Sequence, residues 1–132
     1  MGYAFDDGDF PVATMHLSGT MTSDDWSQVI ADIERLLARE LPCAVVMETS
    51  GLRTPEFSDL RNVARFLSEQ ERALERWFLG FCVATESLVI RGTAKAFLSV
   101  FEPAADIVVF RTVEEARAEA ARRLESVGVS PS

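Results

Sequence analysis

The run Cys43-Ala44-Val45-Val46-Met47 is apolar at every position and stands between Pro42 and Glu48. A strand with one wet face alternates apolar and polar side chains. A short unbroken run reads instead as a strand buried on both faces, as in parallel sheets covered by helices. Leu79–Ala84 is a second such run and Ile107–Phe110 a third. What lies between them decides whether the sheet is parallel, because parallel neighbours need a long crossover, usually a helix.

Each gap reads as helix. Thr22-Ser23-Asp24-Asp25 offers a capping hydroxyl and carboxylates for the positive end. Trp26, Val29, Ile30, Ile33, Leu36 and Leu37 follow at helical spacing, and Pro42 ends the segment. After a connection over Glu48–Arg53, Thr54-Pro55-Glu56 predicts a helix start with Thr54 as cap and Pro55 in the first turn. That helix runs to Trp77, with Phe57, Leu60, Val63, Ala64, Leu67 and Leu74 on its buried stripe and Arg61, Arg65, Glu69 and Arg72 opposite. Thr85-Glu86-Ser87 leads into a third helix with a stripe of Leu88, Ala94, Phe97, Leu98 and Phe101, in which Gly92 admits a second backbone. Pro103 stops it. Thr112-Val113-Glu114-Glu115 is a capping box that opens the last helix, closed by Gly128. Ahead of all this, Tyr3–Phe5 and Phe10–Leu17 flank Asp6-Asp7-Gly8-Asp9 as a hairpin. Phe10, Val12, Thr14 and His16 then share one face, and Ala13, Met15 and Leu17 the other. The expected fold is α/β in the order ββαβαβαβα. It has one mixed, mostly parallel sheet in a single domain over residues 1–127, with a frayed tail over 128–132.

Length and charge narrow the function. The chain has 132 residues, 13 basic, 21 acidic and one histidine, for a net charge of −8. An acidic chain repels phosphate, so nucleic acid and anionic membranes are poor partners. No Lys or Arg precedes Arg35 and no apolar run approaches a membrane span, which argues against a signal peptide and for a cytoplasmic protein. Cys43 and Cys82 both fall in apolar runs and read as buried thiols, not a disulfide framework.

Catalytic constellations are sparse. His16 is the sole histidine, in mid-strand with no carboxylate near it in sequence. No dinucleotide or phosphate-loop motif occurs, and Asp6, Asp7 and Asp9 lack the spacing and distal Glu of a calcium loop. The Arg61, Arg65, Arg72 and Arg76 series reads as a solvated face balanced by Glu69, Glu71 and Glu75. No cofactor or metal is expected. Hydroxyls near the strand ends hold more interest: Ser50, Thr54 and Ser58 fall where an open α/β sheet collects function. A phosphate there would meet unpaired N–H groups at a helix start, although Glu56 and Asp59 would repel it.

Leu17-Ser18-Gly19-Thr20-Met21 after the hairpin, Ala44-Val45-Val46-Met47-Glu48 as central strand, and Val109-Phe110-Arg111-Thr112-Val113-Glu114-Glu115-Ala116 into the last helix together resemble the STAS superfamily, the domain of bacterial anti-sigma factor antagonists. The likeness is greatest to its divergent SpoIIAA-like branch, which is related to the CRAL-TRIO lipid carriers. In the antagonists a serine in an Asp-Ser-Ser-Gly sequence after the central strand is phosphorylated. Matching the strand-end acid to Glu48 sets Glu56-Phe57-Ser58-Asp59 over that motif, with Ser58 as phosphoacceptor and Ser50 of Ser50-Gly51-Leu52 as its rival. The resemblance implies a non-enzymatic regulatory module that binds a protein partner through Glu48, Arg53, Thr54, Glu56, Asp59, Arg61 and Arg65. The alternative is a carrier or sensor of a small apolar or anionic ligand beneath the two central helices, whose half is rich in Phe. An enzyme using Cys82 and Glu86 comes third, and a homodimer is compatible with any of these.

Overall fold

A computed structural model describes residues 2–103 and 105–129 of the chain. Its elements are β1 (Tyr3–Asp6), β2 (Val12–Ser18), α1 (Ser23–Ala38), β3 (Cys43–Ser50), α2 (Phe57–Glu69), α3 (Glu71–Trp77), β4 (Phe78–Ala84), α4 (Leu88–Phe101), β5 (Ile107–Phe110) and α5 (Val113–Ser126). The five strands form one sheet in chain order. β1 pairs antiparallel with β2, and every later pair is parallel. The expected α/β architecture with an antiparallel edge is therefore present. Positions 1 and 104 and the tail residues 130–132 lie outside the described residues.

Strand alternation sorts the side chains into two cores. Ala13, Met15, Leu17, Cys43, Val45 and Phe81 face α1, α2 and α3, with Phe97 of α4 at the margin. Val12, Ala44, Val46, Cys82 and Ala84 face Ala116, Ala120 and Leu124 of α5, the one helix on the second face among the described residues. Small alanines on α5 let it lie close against β3 and β4. Thr112 caps by the expected box, and Thr22, expected only as a capping hydroxyl, forms one too with Asp25; each accepts from the backbone N–H three residues on.

Several expectations need correction. β3 runs on through Glu48, Thr49 and Ser50, because β2 pairs with it to the end and the Thr49 hydroxyl donates to the Ala84 carbonyl at 3.0 Å. α2 begins at Phe57 with Glu56, not Thr54, at its cap position, and Glu56 makes no side-chain cap. Leu52 and Pro55 sit against the inner face of the fold, so the chain crosses it extended before it can coil. The long second helix is two, turned at Gln70, where neither Gly nor Pro marks the break. Phe57 and Leu88, expected inside, are exposed, and the Cβ position of Gly92 meets no neighbour. The start of the tail is ordered. Gly128 at φ 79° lets its own N–H reach the Glu125 carbonyl and the Val129 N–H reach that of Leu124 at 2.9 Å, a Schellman closure.

Candidate functional site

β4 delivers its chain to α4 on one face of the sheet, whereas the neighbouring β5 delivers its chain to α5 on the other. Loops that part in this way leave a crevice at the carboxyl ends of the strands, where open α/β sheets take ligands. The crevice is present, with a volume of about 780 Å³. Ser50 at the end of β3 and Gly51 after it, Thr85 to Ser87 after β4, and Arg111 to Glu114 after β5 line it. Its charge is mixed, with Arg111, Glu86 and Glu114 all among its lining. The two helix starts are already capped, Ser87 Oγ accepting from the Ile90 N–H and Thr112 Oγ1 from that of Glu115, each at 3.2 Å.

Behind the crevice, between the sheet and helices α1, α2 and α4, lies a second cleft of about 130 Å³. Met47, Val63, Leu67, Phe81, Ala94 and Phe97 are among its walls, and the surface that it presents is wholly apolar. Its two threonines are turned away chemically: Thr49 donates to the Ala84 carbonyl and Thr93 to that of Val89, both at 3.0 Å. Thr49, Leu52 and Ile90 line both clefts, so the polar crevice and the apolar cleft share a wall. Trp26 stands in the inner wall, and among the described residues its indole N–H is the one buried side-chain donor with no acceptor.

The expected site residues are spread over the fold. Ser58 is exposed in the first turn of α2, next to Phe57, whose ring stacks on Phe101 at 5.3 Å. Arg53, Thr54, Glu56, Arg61 and Arg65 are exposed on the same side of the sheet, in α2 or just ahead of it. Asp59 is not available to a partner: it is 7% exposed and accepts from the Ser23 hydroxyl of α1 at 3.2 Å. Glu48 points to the opposite face, away from α2, and Ser50 lies in the polar crevice. Of the two serines, only Ser58 adjoins the arginines of α2.

A pair absent from the sequence reading joins His16 to Glu48, Nδ1 to Oε2 at 2.7 Å. Parallel pairing sets these two residues side by side on β2 and β3, and only the register reveals it. Beside them Arg117 of α5 donates to Thr14 at 3.2 Å. Among the described residues no hydroxyl or thiol contacts His16. The thiols are the opposite of activated: burial pushes Cys43 up to about 12 and Cys82 up to about 11. Glu86 stands exposed in the crevice, whereas Cys82 is buried against α5.

Compared with models of known protein families the chain matches none, and no curated protein matches it.

Proposed function

We propose that this chain is a STAS-like, non-enzymatic binding module that takes a small amphipathic molecule. The apolar part enters the inner cleft and the polar end stays at the strand-end crevice. The observation that carries this reading is the shared wall of Thr49, Leu52 and Ile90 between a polar mouth and a wholly apolar interior. Binding sites of this kind are mostly apolar with a few polar groups that orient the ligand. An apolar cavity of roughly 150 Å³ accommodates a benzene-sized guest, so the inner cleft suits one ring or a short alkyl segment. A ligand oxygen within reach of the Trp26 N–H would relieve a donor whose burial without a partner costs about 1–3 kcal/mol.

Titration with octanoate, followed by ligand-observed NMR, tests the reading. Saturable binding is expected for the natural chain and a loss of at least roughly tenfold for Ala94→Phe, which fills the cleft with the volume the guest needs. Ala94 is half-buried on α4, so an unchanged melting temperature separates lost space from lost fold. Equal binding by both proteins contradicts the reading.

A second reading, regulation through a protein partner, is favoured by the place of Ser58. Its side chain is exposed beside Arg61 and Arg65 and borders the Phe57–Phe101 pair that ties α2 to α4. Phosphate there would add negative charge beside Arg61 and Arg65, and beside Glu56, at the joint of the two helices. Ser58→Asp is expected to shift amide signals of Phe97 and Phe101 across that joint in an NMR spectrum. Shifts confined to the first turn of α2 would remove the switch.

A further inference from the structure

An indole N–H donates a hydrogen bond and cannot accept one, and a buried tryptophan usually finds it a partner. Trp26 does not. It lies near the start of α1, is 7% exposed and stands in the wall of the apolar cleft, and its Nε1 has no acceptor. A phenylalanine would line the same wall without leaving a buried donor unpaired, so the nitrogen is the feature that calls for a reason.

The wall itself does not satisfy it. Thr49 and Thr93 are the only other lining residues whose side chains carry nitrogen or oxygen, and each spends its hydroxyl hydrogen on a backbone carbonyl, of Ala84 and of Val89. Water is a poor substitute, because a trapped water needs roughly two to four polar partners, and one uncommitted N–H is all that these side chains offer. No charged side chain lines the cleft either. A carboxylate at this depth would be buried without a counter-charge, which costs far more than burying a neutral oxygen.

We infer that the guest of the cleft carries a neutral acceptor on its buried part, a carbonyl oxygen flanked by apolar carbon, and that Trp26 Nε1 donates to it. The inference rests on the reading of the cleft as a binding site and narrows the class of guest. A pure hydrocarbon segment fills the space but leaves the indole unpaired. A ketone- or ester-like segment of the same shape fills the space and pairs it, while any charged end stays at the crevice beyond Thr49, Leu52 and Ile90.

Cyclohexanone and methylenecyclohexane test this, since the two share a ring and differ in one acceptor. Each is titrated into the natural chain and into Trp26→Phe, with the indole N–H signals followed by NMR. The chain has two tryptophans, and Trp77→Phe assigns the pair, because Trp77 of α3 is not part of the cleft wall. Both probes are expected to bind the natural chain, with cyclohexanone alone moving the Trp26 indole proton downfield. Trp26→Phe should lower the affinity for the ketone relative to the hydrocarbon by about tenfold. The ratio of the two affinities cancels the space that the smaller ring opens, and the shift in the natural chain needs no variant at Trp26. Binding of the hydrocarbon alone, an indole shift common to both probes or absent from both, or an unaltered ratio would each overturn the inference and leave the cleft a binding site. Binding of neither probe would remove both.

Discussion

Gly80→Ala is expected to destabilise the chain by about 2–3 kcal/mol in urea unfolding, a large effect for one methyl group. β4 has three steps from Phe78 to Phe81 where β3 has two from Cys43 to Val45, so an extra residue bulges out at Leu79–Gly80. The bulge frees the Leu79 carbonyl, and Arg123 of α5 claims it with Nη1 at 2.8 Å. The same guanidinium holds Asp106 at 2.6 Å and Glu119 at 2.7 Å. A Cβ on Gly80 would stand 2.4 Å from Arg123 Nη1. Moving the arginine relieves the clash but unpairs the Leu79 carbonyl and Asp106, and the backbone φ of +156° disfavours a side chain in any case. The mechanism predicts strong coupling: in an Arg123→Ala background, where nothing remains to clash, Gly80→Ala should have much less effect. Equal effects in both backgrounds would show that backbone strain alone is responsible. The arginine pair also fixes the acid behaviour of this corner. Hydrogen bonds from Arg122 and Arg123 hold the Glu119 carboxyl down at about 2 from an ordinary 4.5. Its contribution is complete above pH 4.5 and is lost as the pH falls toward 2.

Asp32→Ala is expected to cost about 3 kcal/mol. Asp32 is among the buried residues of α1 and only 2% exposed. Its carboxylate accepts from the Tyr3 hydroxyl at 2.7 Å and from Gln28 at 3.3 Å, and pairs with Arg35 at 3.3 Å. Truncation deprives a half-buried phenol of its acceptor and detaches β1, an edge strand of four residues, from the helix packed against it. Arg35 is mostly exposed, so the loss of its partner adds little. Tyr3→Phe, which keeps the carboxylate and its other two contacts, should cost about 1 kcal/mol. Burial, and then the bond and charge of Asp32, raise the Tyr3 hydroxyl well above its ordinary 10.0. The unfolded chain therefore ionises first, and the stabilisation present below pH 10 declines as the pH rises further. Tyr3→Phe should remove that alkaline decline. Asp32→Ala melting at the temperature of the natural chain would refute this account of the α1–β1 contact.

The strands and their order were legible because a doubly buried strand leaves an unbroken apolar run, and because Thr22 and Thr112 advertise their helices through local capping chemistry. The features that depend on distant partners were not. Nothing near Gly80 announces a bulge whose carbonyl is held by a residue more than forty positions away, and Tyr3 meets Asp32 across 29 positions. The His16–Glu48 pair requires the register of β2 on β3. Helical spacing groups Leu88 with Phe97 and Phe101, but it does not say that α4 is covered on one side only. For the same reason the aromatic half of the chain was readable, while the space that its side chains leave open was not. Ser58 is exposed in the first turn of α2, a place that the Thr54–Glu56 start signal puts within two residues. Asp59 next to it was misjudged, since the serine of α1 that buries it is 36 positions earlier.

The most direct measurement is the crystal structure of the unliganded chain under xenon pressure, because xenon enters apolar cavities that water leaves empty. A binding module of the proposed kind should show xenon between Met47, Leu67 and Phe97 in the natural protein and none there in Ala94→Phe. A cleft that takes no xenon, or that holds ordered water in its place, would contradict the proposal that this fold carries an apolar binding site.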